Sequence, residues 1–355
     1  MLTSANRAFK ALRQFLTTTQ LLPLAWHFSP QRQKHTIFRF RLTFGLWTRE
    51  LDMLPHGKLS QIFTGLTSPG NRPRISQRAD VRGVSNNDTL KLSWKTDIGL
   101  IGEATLPRSK ANAASELVPT ENSWSAFKEY VAGVESGRFL FRGQNEPWRL
   151  RTSFHRSGRA DLLRFMREDI PSLHRNLSAR TKHVFNLKDP DEYGAFLNLI
   201  QHHGYPTPLL DWTYSPYVAA FFAYRGISNA DADNAPSTSK VRVLVLDQRQ
   251  WRSDVLQIPL LEPVTLHFSI FEFLGIENER MIPQQAASTV TNIDDIEAYI
   301  ASHPREKTYL SAIDLPLRER RRVIQELSFM GITASSLFPG LDEACEDLKQ
   351  RNFEL

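Results

Sequence analysis

The chain has 355 residues, with 44 Lys and Arg against 38 Asp and Glu and a formal net charge of +6. That length allows one large domain with an extension, or two domains. The basic excess is local: Arg7, Lys10, Arg13, Arg32, Lys34, Arg39, Arg41 and Arg49 face only Glu50 and Asp52, so the chain after residue 52 is neutral. Residues 53–355 therefore show no electrostatic footprint for a nucleic-acid backbone. The single Cys345 excludes an internal disulfide and a cysteine-based metal cluster.

Residues 1–56 form the basic leader, free of acids before Glu50 and rich in Ser, Thr, Arg and aromatics. Such a composition resembles that of an organellar transit peptide. Phe15 to Trp26 is too short, and too interrupted by Thr, Gln and Pro, to span a membrane. The plainer account is a disordered tail, or upstream sequence before a start near Met53. The expectation is a leader without a packed core and a soluble, cytoplasmic body, with organellar targeting as the alternative.

Residues 57–108 change to short segments between turn residues, with strands expected at Arg78–Val84 and Thr89–Trp94. Leu90, Leu92 and Trp94 alternate on one face of the second. This predicts a small β-rich unit. Residues 109–120 have the Ser, Asn, Ala and Pro content of a linker.

The main domain is expected over 121–352. Ser123 to Val131 predicts a helix with Trp124, Phe127 and Val131 on one face. A strand then runs to Arg142, and Gly158 to Leu177 reads as an amphipathic helix with a basic outer face. Glu192–Ile200 predicts a further helix, and Ser215-Pro216 is a cap and first-turn pair that starts another. Asn229 to Ser239 reads as a surface loop. Val241 to Leu246 is the strongest strand pattern and is expected at the centre of the sheet. Helices at Asp294–Ile300, Leu317–Phe329 and Leu341–Arg351 and a strand at Tyr309–Ile313 complete an α+β mixture without repeats.

Two motifs carry the functional signal. In Arg138-Phe139-Leu140-Phe141-Arg142-Gly143-Gln144, an arginine sits inside an apolar strand, where it costs solvation unless it meets an anion. In Gln201-His202-His203-Gly204-Tyr205-Pro206-Thr207-Pro208-Leu209-Leu210-Asp211-Trp212-Thr213-Tyr214-Ser215-Pro216, two imidazoles, a carboxylate and an indole crowd a connector between helices. Together the Phe-Arg-Gly tripeptide and this second run resemble the FRG domain family, over roughly residues 120–230. The resemblance implies no settled activity.

Adjacent histidines on a helix point about 100° apart, so His202 and His203 do not chelate one ion together. Asp211, His155, His174 and His267 stand at no recognisable metal spacing. Neither a Gly-x-Ser-x-Gly elbow, nor a P-loop, nor a Gly-x-Gly-x-x-Gly turn occurs. The order of parts is similar to that of ADP-ribosyltransferase folds: Arg142 on a strand, Thr213-Tyr214-Ser215 running into an alanine-rich helix, and Glu277, Glu279 and Arg280 before Gln284-Gln285. That similarity implies NAD as cofactor. Arg142 would meet a phosphate, Ser215 would brace the nicotinamide ribose, and Glu277 or Glu279 would stabilise the charge that develops as nicotinamide leaves.

The expected site is a cleft for a nucleotide or other polar ligand, built from Arg142, Gln144, His202, His203, Asp211, Trp212, Ser215, Arg280 and Gln285. The competing class is a protein- or peptide-interaction module in which the same residues are structural. In that case Arg142 pairs with Asp211 as a buried ion pair, Trp212 anchors the core and Ser215 is a helix cap.

Overall fold

A computed structural model of the protein describes residues 36–43, 78–85, 89–97, 99–107, 109–258, 261, 265–303 and 308–354. The chain divides into two compact units, residues 1–109 and 110–355.

The first unit is a four-stranded antiparallel meander. Its strands, in spatial order, are β1 (Thr36–Thr43), β2 (Arg78–Ser85), β3 (Thr89–Thr96) and β4 (Ile101–Pro107). Val81, Leu92, Trp94 and Ala104 share one face and are buried, as the alternation in the sequence requires. β1 falls within the stretch read as a leader. Its sequence alternates Phe38, Phe40 and Leu42 with Arg39 and Arg41, a period of two that was masked by the overall basic charge. The rest of the leader lies outside the described residues.

The second unit is built on a seven-stranded mixed sheet, with helices and strands together making an α+β fold. Its spatial order is β5 (Thr120–Glu121), β11 (Leu310–Pro316), β8 (Lys240–Asp247), β6 (Phe139–Gln144), β7 (Leu209–Thr213), β10 (Ala286–Thr291) and β9 (Phe268–Phe271). Only β5 and β11 run parallel. β8 is interior, as its apolar run predicts, and seven of its eight residues are buried. The segment read as a linker packs on this unit: Ala111 is buried, Ala114 bridges to Trp148 and Ser115 donates to Glu297.

One face of the sheet is covered by α1 (Trp124–Ala132), α5 (Pro216–Tyr224), α9 (Arg320–Phe329) and α10 (Ala334–Leu337). They bury Trp124, Phe127, Phe221, Tyr224, Val323 and Leu327 against Phe141, Val243 and Leu315. On the other face, α7 (Gln248–Asp254) and α8 (Ile296–Ala301) contribute Trp251, Ile296 and Ile300 to a core with Leu140, Trp212 and Leu244. A third core gathers Phe154, Phe165, Phe185, Phe196 and Leu209 around α2 (Ser153–Arg156), α3 (Ile170–Leu177) and α4 (Pro190–His202).

The helix termini follow local chemistry. Ser123, Asp189 and Ser215 cap α1, α4 and α5 through their side-chain oxygens, and proline occupies the first turn of α4 and α5. α4 ends at His202, and two residues on Gly204, with a φ of +82°, takes the left-handed conformation that turns the chain into the connector. Three expectations change. The helix read over 158–177 is a short turn, Leu162–Arg164, then a π-helical stretch, Phe165–Asp169, then α3. Asn229–Asn234 is a short helix, α6, inside the expected loop, because Ser228 caps it and donates to Asp231. Leu317–Glu319 is a 3₁₀ turn ahead of α9.

Within the central sheet, Arg242 on β8 and Asp314 on β11 face each other in register and form a buried, two-pronged ion pair at 2.7 and 2.9 Å. Nothing in the residue pattern signals this pair, because the two residues interrupt otherwise apolar strands far apart in the chain.

Candidate functional site

The glycine of the Phe-Arg-Gly tripeptide is a packing residue. A Cβ on Gly143 would stand 2.0 Å from the Ala219 carbonyl oxygen and 2.5 Å from the Ala223 amide nitrogen. Alanine-rich α5 therefore lies directly on β6. Asn145 finishes the contact by donating to the carbonyls of Ala223 and Arg225 at the end of α5.

Next to this tight contact the sheet opens. β6 and β7 pair at only one position, Phe141 with Thr213. Across the gap beyond it, Arg142 Nη1 donates to the main-chain carbonyl of Asp211 at 2.5 Å. The Asp211 carboxylate is engaged elsewhere: Gln201 Nε2 donates to its Oδ1 at 2.6 Å, and Gln201 Oε1 accepts from Thr207 Oγ1. The two motifs are thus tied by a guanidinium-to-carbonyl bond and an amide relay, in place of the expected carboxylate ion pair.

Arg142 is left incompletely satisfied. Its Nε is sealed from solvent and has no hydrogen-bond partner. Burial pulls its pKa down, with Asp211 opposing and Arg156 reinforcing the shift. Arg156, at the end of α2, is exposed, and its guanidinium forms no hydrogen bond or ion pair among the described residues. Its pKa is also lowered, first by partial desolvation and then by the neighbouring Arg151 cation.

These groups line one cavity of about 200 Å³. Arg142, Arg156, Asp211, Gln201 and Ser153 form its polar wall; Tyr205, Leu209, Leu210 and Gly204 complete it. Ser153 is fixed by a reciprocal pair of bonds to Thr207, accepting from its amide at 3.0 Å and donating to its carbonyl at 3.2 Å. Two cations thus share a small space with one carboxylate. Arrangements of this kind suit an anion, because the guanidinium fork matches phosphate and carboxylate oxygens.

The remaining expected residues have other places. His202 is partly buried: its Nδ1 accepts from Asn278 Nδ2 at 2.8 Å, which leaves the other ring nitrogen to carry the proton of the neutral imidazole. Burial lowers its pKa, with Asp211 pushing the other way. Asn278 also donates to Asn198, which donates to Ser288, so His202 ends a polar chain between α4 and β10. His203 is exposed. Gln144 is buried and donates to the Trp148 carbonyl at 2.9 Å. Trp212 is a core residue whose indole donates to Thr289. Ser215 accepts from the Val218 amide as the cap of α5.

Arg280 lies over the Phe338 ring, pairs with Glu343 at 3.5 Å and approaches the His202 carbonyl. Gln285 is exposed with φ +47°, and its carbonyl accepts from Tyr214. Glu277, also at positive φ, accepts from the His183 amide, and Glu279 is exposed. Neither glutamate lines the Arg142 cavity.

Of the residues singled out from the sequence, the fold brings Arg142 and Asp211 into one cavity and adds Arg156, Ser153, Gln201 and Tyr205. Gln201 and Tyr205 stood in the second motif. Arg156 lies in the arginine-rich run Arg149 to Arg159, where the three other arginines all have acidic partners: Arg149 with Asp295, Arg151 with Asp294, and Arg159 with Asp161 and Asp169. Its lack of one is visible only in three dimensions. Among the described residues, no three His, Cys, Asp or Glu side chains converge as a metal site, and no helix is long and apolar enough to cross a membrane.

Comparison with curated proteins and with solved structures gives no match. The family model for the FRG domain matches residues 137–232, a span that holds Arg142, Arg156 and Asp211 and runs from β6 through α5 into α6. The chain carries an FRG domain.

Proposed function

We propose that the second unit is a ligand-binding domain whose cavity between β6 and β7 takes the anionic end of a small polar molecule, with Arg142 and Arg156 as its cationic contacts. The observation that carries this reading is the presence of two guanidinium groups, Arg142 and Arg156, on the wall of one cavity, neither in an ion pair among the described residues. An unmet buried donor costs about 1–3 kcal/mol, and a partly desolvated cation adds to that cost. An anion in the cavity relieves the second cost through the guanidinium's open side; the sealed Nε stays out of its reach.

The volume of about 200 Å³ is below the roughly 300–1,000 Å³ of sites that enclose a drug-sized ligand. It fits a phosphate or carboxylate group and a few attached atoms. A nucleotide would place its phosphate here and leave its base outside. Binding is favoured over transfer from NAD, because the carboxylate in the cavity is Asp211, already held by Gln201, while Glu277 and Glu279 lie elsewhere.

Thermal unfolding of the full chain against inorganic phosphate, AMP, ADP-ribose and NAD, at constant ionic strength, tests the reading. An anion that binds the folded state raises the melting temperature with the logarithm of its concentration. The expected result is a rise in the wild type that is lost in Arg156→Ala. Equal rises in both proteins would reject the cavity as the site.

A further inference from the structure

We infer that the ligand is a small phosphate monoester bearing a hydroxyl group close to its phosphate, with the hydroxyl received by Asp211. This deepens, and rests on, the anion-site reading above. Asp211 is the only carboxylate lining the cavity. Its Oδ1 is occupied by the Gln201 amide at 2.6 Å, and its Oδ2 accepts no hydrogen bond among the described residues. Gln201 is itself fixed by Thr207, so the carboxylate is held in one orientation beside the two arginines. A cavity serving a bare anion gains nothing from a carboxylate in its wall, since the two repel. A carboxylate with one free oxygen is instead an acceptor for a ligand donor.

The charge of the ligand follows from the same residues. Arg142 and Arg156 present two guanidinium groups against the one Asp211 carboxylate, and two such forks suit the several oxygens of a phosphate monoester better than those of a single carboxylate. The donor is a hydroxyl in preference to an ammonium, because an ammonium beside Arg142 and Arg156 would add a third cation to a small space. The apolar wall of Leu209, Leu210 and Tyr205 accommodates the short carbon stem between the two polar ends. Ser153, whose hydroxyl hydrogen already goes to the Thr207 carbonyl, competes for neither end of the ligand.

The test compares two probes of equal charge and similar length, glycerol 3-phosphate and n-propyl phosphate, titrated by calorimetry into the full chain as wild type and as Asp211→Asn. A hydrogen bond to a charged acceptor is worth a factor of about ten to a hundred in affinity. Wild type is expected to prefer glycerol 3-phosphate by that factor. In Asp211→Asn, which still accepts from Gln201, the preference shrinks while propyl phosphate binds more tightly. Equal binding of the two probes by wild type overturns the hydroxyl inference and leaves the anion site standing. Binding of neither probe, nor of inorganic phosphate, removes the anion site and the inference with it. The wild-type comparison decides the matter even if the variant fails to fold.

Discussion

Replacing Arg142 with methionine separates a strut from a ligand contact. Methionine keeps most of the aliphatic stem and deletes the guanidinium. The loss is one charged hydrogen bond to the Asp211 carbonyl, worth about 1.5–3 kcal/mol. The gain is the removal of a sealed, partnerless Nε, worth about 1–3 kcal/mol, together with relief of the desolvation that already lowers the Arg142 pKa. The terms balance toward the variant, so unliganded Arg142→Met is expected to be as stable as wild type, or more stable by about 1–3 kcal/mol, the sense in which replacing poorly compensated buried charge usually acts. Urea unfolding of the full chain, followed by fluorescence of the buried Trp124, Trp212 and Trp251, measures this directly. A loss of about 3–5 kcal/mol, the signature of breaking a buried ion pair, would refute the reasoning and make Arg142 architectural.

Three further outcomes are expected. Gly143→Ala drives a methyl into the backbone of α5, where the nearest atoms stand at 2.0 and 2.5 Å and belong to main chain that cannot rotate away. The cost is about 3 kcal/mol or more by denaturant unfolding, and a change under about 1 kcal/mol would contradict the close approach. Asp314→Asn strands the Arg242 guanidinium inside the sheet and is expected to cost about 3–5 kcal/mol, whereas the double replacement Arg242→Met with Asp314→Leu is near neutral; a double-mutant cycle checks both. Burial holds His155 down to about 4, against an ordinary value of 6.5, and lowers His202 as well. The unfolded chain therefore takes up protons first as pH falls, so stability is full above about 6.5 and declines down to about 4, by about 3 kcal/mol for His155 alone. His155→Phe, which cannot titrate, is expected to flatten that decline in unfolding measured from pH 7 to 4; an unchanged slope would contradict the assignment.

The local grammar of this chain was legible in its sequence where each element carries its own signal. Ser215-Pro216 marks the start of α5, the alternation of Leu90, Leu92 and Trp94 marks β3, and the apolar run of Val241 to Leu246 marks an interior strand. Elements that depend on partners were harder to read. Thr36–Thr43 hides a period of two under a basic composition, and the run read as one helix before Leu177 breaks into three pieces, including a π-helical stretch. The site divides in the same way. Arg142 and Asp211 stood out because charge inside apolar or crowded sequence demands a partner. The form of their link, guanidinium to main-chain carbonyl, depends on the splaying of β6 from β7 and could not be read from residue types. Arg156 emerged only when the acidic partners of its neighbours had been located. His202 and Trp212, conspicuous in the sequence, are satisfied by Asn278 and Thr289 and serve the packing around the cavity.

The most direct test of the central claim is a calorimetric titration of inorganic phosphate into the 355-residue chain as wild type and as Arg142→Met, with folding of each verified by circular dichroism. The account predicts one site per chain in the wild type and no measurable binding to a folded Arg142→Met. Phosphate binding of equal strength in the two proteins, or none in the wild type, would contradict it.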